Sequence, residues 1–137
     1  MCGFVGIFAN NNLISKNNFI KIMLNELSHR GPDAEGFFSE DNLSLAHKRL
    51  KIIDLNQKSN QPLQDYHKNF VIVYNGEIYN YKSIKKKLID LGYKFKTNSD
   101  TEVLLNAYIE LDTECLNLFK GMFSFAIWNR VSKSLFL

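Results

Sequence analysis

Cys2 is the residue with the most chemistry to offer. Removal of Met1, which a small second residue permits, leaves one residue carrying both a thiol and a free α-amine. The amine titrates near 7.7–8.0 and the thiol near 8.5, so the pair can exchange a proton close to neutrality. That is a nucleophile with its own base and no need of a histidine. The plain alternative is a small apolar residue opening a strand. Arg49 stands in His47-Lys48-Arg49-Leu50, just after a strand-like run. Its planar fork fits a carboxylate through two parallel hydrogen bonds, and a surface ion pair fits the position equally well. Asn75-Gly76 reads first as a tight turn. Its other use is an oxyanion hole, with the Asn75 amide and a backbone N–H aimed at a developing negative oxygen. Asp100 is a first-turn helix carboxylate favoured by the helix dipole, or, like Glu77, a receiver for a substrate ammonium. Arg30-Gly31-Pro32-Asp33 fits a structural turn with Arg30 bonded to loop carbonyls.

Lysine occurs 14 times and arginine only three, at Arg30, Arg49 and Arg130. Where a solvated positive charge suffices, the chain uses lysine. An arginine therefore points to a place where the bidentate fork is needed, which directs attention to Arg30 and Arg49.

The elements that must position these groups follow from periodicity. Cys2–Phe8 reads as a short strand. Ser15 is placed to cap a helix running to about His29, with Phe19, Ile22, Met23 and Leu27 at helical spacing. Gly31-Pro32 stops it. Strands are expected at Glu35–Ser39 and Leu43–His47, the second with Leu43, Leu45 and His47 on one face, and a long loop at Ile53–Leu63. Phe70–Tyr74 is the clearest buried strand, ended by Asn75-Gly76. Ser83–Leu91 is an amphipathic helix with Ile84, Leu88 and Leu91 inward and Lys85, Lys86 and Lys87 toward water. Gly92 sits at its C-cap. Ser99-Asp-Thr-Glu102 forms a capping box that opens a helix through about Leu111. Phe123–Trp128 and Ser134–Leu137 read as strands joined by a turn at Arg130–Lys133. Hairpins dominate, so an α+β layered fold is expected. The last strand runs out at Leu137 without a cap or polar tail, which suggests an incomplete domain.

Composition narrows the class. The chain has 137 residues, 45% hydrophobic, 23% charged and 13% aromatic, with a net charge of +3. That is one domain with a real core, not a disordered segment. The basic residues form no stripe, which speaks against a nucleic-acid partner. No apolar run nears the roughly 18–20 residues of a membrane span, and no basic region precedes the apolar N-terminus. Cys2 and Cys115 form no CxxC pair and no His–Cys ligand spacing, so neither a disulfide scaffold nor a structural zinc site is expected. A soluble, cytoplasmic protein fits.

Six blocks together resemble class II glutamine amidotransferase domains, and among them the glutamine-hydrolysing asparagine synthetases most closely. They are Met1–Phe8, His29–Gly36, Leu45–Asp54, Asn75–Asn80, Ser99–Glu102 and Gly121–Trp128, collinear and spread over nearly all 137 residues. The resemblance implies an N-terminal-nucleophile hydrolase fold, a four-layer αββα sandwich. It implies Cys2 as nucleophile, Asn75 and Gly76 as oxyanion hole, Arg49 on the α-carboxylate of L-glutamine, and Glu77 and Asp100 around its α-amine. It further implies a synthetase domain in cis or trans as recipient of the ammonia, with ATP and Mg belonging to that domain and no cofactor or metal in residues 1–137. A homodimer is one assembly open to it. Residues 1–137 are then an incomplete glutaminase domain, since the family continues past this last strand. Two other readings stay open: a non-catalytic remnant serving as a binding or regulatory module, and the glutaminase domain of an amidotransferase acting on a sugar phosphate or a phosphoribosyl compound.

Overall fold

A computed structural model describes residues 2–9 and 16–137. Among these the strands are β1 (Gly3–Phe8), β2 (Ala34–Glu40), β3 (Leu43–Arg49), β4 (Leu63–Gln64), β5 (Phe70–Ile78), β6 (Gly121–Asn129) and β7 (Ser134–Phe136). The helices are α1 (Lys16–Glu26), α2 (Tyr81–Asp90) and α3 (Asp100–Leu111). The strands make two antiparallel sheets, ordered β1-β3-β2 and β4-β5-β6-β7. Helix α1 packs on the first sheet, while α2 and α3 pack on the second. The layers therefore run helix, sheet, sheet, helix, as expected. No helix among the described residues is long and apolar enough to cross a membrane.

Strand periodicity builds this stack. On β5, Val71 and Val73 face Leu43 and Leu45 of β3, in a cluster completed by Ala126 and Trp128. Ile72, Tyr74 and Ile78 point the other way, onto Ile84, Leu88, Val103 and Leu104 of the helices. Each large apolar side chain buried between the sheets contributes about 1.5–3 kcal/mol, and this packing is the main force holding one sheet to the other. His47 shares the inward face of Leu43 and Leu45. It is fully buried, with Nε2 3.1 Å from the Tyr74 carbonyl oxygen of the opposite sheet and Nδ1 without a partner. At the far end, Glu40 of β2 clasps the second sheet. Arg130 donates to it from Nε at 2.9 Å and Nη2 at 3.1 Å, and Trp128 Nε1 at 3.1 Å. Led by the Arg130 bond, and against the opposing pull of burial, these contacts hold the Glu40 carboxyl down to about 2. The bidentate arginine–carboxylate pair of this chain is thus Arg130–Glu40, not one of the two arginines singled out by scarcity.

Several expectations need correction, among them the long loop at Ile53–Leu63, which holds a short helical turn at Gln57–Ser59 and ends in β4. Asn75-Gly76 does not end β5, which continues to Ile78 with Asn75 paired to Ser124 and Gly76 to Phe123. On α1 the buried residues are Ile20 and Leu24, whereas Phe19, Ile22 and Met23 are exposed; five apolar residues within six positions define no single face. Leu91 is 63% exposed because it lies at the C-cap, one residue past the end of α2. Lys85 does not simply face water, since Nζ donates to Thr97 O at 2.8 Å and Asn98 Oδ1 at 3.0 Å. The cap expected at Ser15 lies outside the described residues.

The C-terminus of α2 is as read. Gly92 has φ +96° and donates to Ile89 O, and Tyr93 donates back to Leu88 O, a Schellman closure. A Cβ on Gly92 would meet nothing within 4 Å, so Gly92→Ala tests conformation alone. It should cost about 1–2 kcal/mol in chemical denaturation, and an unchanged midpoint would contradict the assignment. His47 makes a second test. Burial, with Arg49 assisting and the Tyr74 carbonyl opposing, pushes its pKa down from 6.5 to about 4. The unfolded chain takes up this proton near 6.5 and the folded chain only near 4. Stability is therefore full above 6.5 and is lost as pH falls through that window. Between pH 7 and 5 the wild type should lose about 2 kcal/mol more than His47→Gln; equal losses in urea titrations at the two pH values would refute it.

Candidate active site

Pairing of β1 with β3 sets Gly3 opposite Lys48 and so brings Cys2 beside Leu50. Cys2 is half-buried. Its Sγ accepts from the Leu50 N–H at 3.3 Å and lies 3.5 Å from the Leu50 carbonyl oxygen. Arg30, in the turn after α1, donates from Nε to the Cys2 carbonyl oxygen at 2.9 Å. The first residues are thus held from both sides, with the sulfur fixed by β3 and the carbonyl by Arg30.

Arg49 ends β3 and is 6% exposed, which rules out the surface ion pair. Nη1 donates to Asn56 O at 2.9 Å and Asn60 Oδ1 at 2.7 Å, and Nη2 donates to Asp54 O. A guanidinium has five N–H donors, so Nε–H and one Nη2–H remain for a ligand. Among the described residues Arg49 forms no ion pair within 4 Å. Burial lowers its pKa, with Asp54 opposing. The loop it grips is tied a second time by Asp54, whose carboxylate accepts from Asn56 N–H and Asn98 N–H at 2.8 Å and Ser59 Oγ at 2.7 Å. Burial raises the Asp54 pKa, but those bonds together with the Arg49 charge outweigh it and leave the carboxyl below its ordinary value.

The far half of β5 supplies the next groups. In an antiparallel strand the N–H and C=O of alternate residues point to opposite edges. Tyr74 N–H meets Gln61 Oε1 at 2.6 Å and Ile78 N–H meets Asp100 Oδ2 at 3.1 Å, both on the side away from β6. By the same alternation Gly76 N–H, between them, points to that side too. On the other side β6 comes so close that a Cβ on Gly76 would lie 2.4 Å from Met122 O and 2.5 Å from Phe123 Cα. The glycine is required by this approach, not by a turn.

Asp100 opens α3 behind the cap Ser99, whose Oγ accepts from Glu102 N–H at 3.4 Å. Only half of the capping box forms, since the Glu102 carboxylate turns instead to the N–H groups of Lys96 and Thr97. Asp100 is 4% exposed, and its Oδ2 accepts from Tyr74 OH at 2.7 Å as well as from Ile78 N–H.

Cys2, Arg49, Asn75, Gly76, Glu77 and Asp100 all line one cleft of about 150 Å³. Every site residue expected from sequence is thus brought together. A sulfur nucleophile, N–H donors for a developing oxyanion, a cation and two carboxylates are the parts of acyl transfer from a charged, carbonyl-bearing substrate. Sequence reasoning missed Asp54, Ser59, Gln61 and Tyr74, which line the same cleft, and His47, which reaches the Tyr74 carbonyl oxygen. The spacing of Asp54-x-Asn56 is a local turn signal; the others carry none.

Comparison with known proteins places the chain as a whole. A family model described as a glutamine amidotransferase domain matches residues 1–137. Asparagine synthetase [glutamine-hydrolyzing] 1 of Bacillus subtilis is 41% identical over 133 residues, covering 95% of this chain and 21% of that protein. Asparagine synthetase B of Escherichia coli is 44% identical over 103 residues, 75% of this chain and 18% of that one. The chain spans about a fifth of the length of these curated relatives. Among solved structures, glutamine phosphoribosylpyrophosphate amidotransferase of B. subtilis superposes with a TM-score of 0.77 at 20% identity, over 95% of this chain and 35% of that one, which shows a shared fold. With its layers, its cleft and a family match running from end to end, the chain belongs to the class II glutamine amidotransferase domain family.

Proposed function

We propose that the chain hydrolyses the side-chain amide of L-glutamine and supplies the ammonia to an amidation of the asparagine synthetase type. The observation that carries this is the convergence of a near-terminal cysteine with Arg49, Asn75, Gly76, Glu77 and Asp100 on a single cleft. The Cys2 thiolate attacks the amide carbon, and the oxyanion is met by the Asn75 amide and the Gly76 N–H. The Cys2 α-amine, freed by loss of Met1, carries the thiol proton to the leaving nitrogen. The C–N bond breaks, ammonia departs, and water hydrolyses the thioester to glutamate. Arg49 takes the α-carboxylate through its two remaining donors, while Asp100 and Glu77 take the α-ammonium. ATP and Mg belong, on this reading, to a synthetase domain in cis or trans.

Two variants test it in the native full-length protein. Cys2→Ala should abolish glutamine-dependent turnover and leave ammonia-dependent synthesis intact; loss of both would make Cys2 structural. Arg49→Lys keeps the charge but loses the fork. Without one charge-assisted bond, glutamine should bind about 10- to 150-fold more weakly, mostly in KM. Unchanged steady-state constants would remove Arg49 from the clamp.

A further inference from the structure

Tyr74 is bonded at three points, each into the machinery around the cleft. Its N–H donates to Gln61 Oε1 at 2.6 Å, its carbonyl oxygen lies 3.1 Å from His47 Nε2, and its hydroxyl donates to Asp100 Oδ2 at 2.7 Å. Gln61 is itself tied to α3, with Nε2 donating to Thr101 Oγ1 at 3.3 Å. The strand that carries Asn75 and Gly76 and the helix turn that carries Asp100 are therefore joined twice by one residue. The ring is buried among apolar side chains, where phenylalanine would fill the same space. A buried hydroxyl is costly unless it is bonded, so this one is placed for its partner.

Both donors that reach Asp100, Tyr74 OH and Ile78 N–H, converge on Oδ2. That oxygen's acceptor capacity is filled. Oδ1 carries no hydrogen bond, yet it is not sealed off: among the described residues the buried side-chain polar atom without a partner is His47 Nδ1. Asp100 lines the cleft, and Oδ1 is the oxygen it has left to offer there. Burial and the adjacent carboxylate raise the Tyr74 pKa well above its ordinary value, so the hydroxyl stays protonated as a donor.

We propose that Tyr74 is a specificity-determining positioning residue, committing Asp100 Oδ2 so that Oδ1 alone receives the substrate's α-ammonium and des-amino amides are rejected. This rests on the reading in which Asp100 takes that ammonium. Without the hydroxyl, one N–H still holds Oδ2, but the carboxylate torsion, broad in itself, is freed. The acceptor for the ammonium is then no longer fixed.

The test compares kcat/KM for glutamine with that for 4-carbamoylbutanoate, its des-amino counterpart, in wild type, Tyr74→Phe, Asp100→Asn and the double variant. Wild type should strongly prefer glutamine. Tyr74→Phe should lower kcat/KM for glutamine about 10-fold, chiefly through KM, and leave the des-amino rate within about twofold. Adding it to Asp100→Asn should cost nothing further, because both act through one carboxylate. Equal losses on both substrates would mean a merely structural role, and no loss on either would mean an idle hydroxyl; each overturns the proposal. If Asp100→Asn collapses the preference while Tyr74→Phe does not, Tyr74 is excluded and the Asp100 assignment stands. If wild type shows no preference, or Asp100→Asn keeps it, the Asp100 assignment falls and takes this proposal with it. Tyr74→Leu, which also removes the hydroxyl, replaces Tyr74→Phe should that variant fail to fold.

Discussion

The groups that meet in the cleft come from both sheets and from α3, and among the described residues no strand ladder joins the two sheets. Cys2 and Arg49 are placed by β1 and β3, Asn75, Gly76 and Glu77 by β5. Their relative position therefore depends on side chains that cross the interlayer space. Close to the site, one crossing contact is polar, His47 Nε2 to the carbonyl oxygen of Tyr74. Nε2 must carry a hydrogen there to donate to the carbonyl, and burial keeps the ring neutral. The apolar cluster of Leu43, Leu45, Val71, Val73, Ala126 and Trp128 holds the sheets together but has no directionality of its own. The hydrogen bond adds registry to that adhesion: it sets which residue of β5 lies across from the end of β3.

The sequence was legible where its signals are local. Alternation revealed β3 with His47 on the Leu43 face, and a glycine at the right offset revealed the end of α2. Six collinear blocks pointed to Cys2, Arg49, Asn75, Gly76, Glu77 and Asp100, which the structure gathers on one cleft. Illegible features were those whose cause lies far along the chain. Gly76 looked like half of a turn, whereas its reason is the backbone of β6, more than forty residues away. Gln61 reads as one polar loop residue, yet its side chain continues the edge of β5 past the short β4, reaching residues 74 and 101. Helix α1 has apolar residues around most of its circumference, so no period could select Ile20 and Leu24 over Phe19 and Ile22.

Arginine scarcity was a sound guide of limited resolution. All three arginines replace something lysine could not do, but in different ways. Arg30 pins a carbonyl at the start of the chain, Arg130 makes the bidentate carboxylate pair, and Arg49 gathers three oxygen acceptors from one loop. A planar group with several fixed donors can organise irregular backbone in a way that a single ammonium cannot.

The hydrogen-bond acceptors of Arg49 are backbone and amide oxygens, and the nearby Asp54 carboxylate is taken up by three donors of its own. Lining the same cleft are carboxylates from β5 and α3, Glu77 and Asp100. The cleft thus separates its unspent groups, with the remaining N–H donors of the Arg49 guanidinium at one place and the Glu77 and Asp100 carboxylates at another. In a partly buried space charges are screened from one another far less than exposed charges are. A ligand carrying one charge of either sign meets attraction at one place and repulsion at the other. A ligand with both, spaced to match, gains at each end. The cleft therefore sorts molecules by how their charge is separated, not by how much of it they carry.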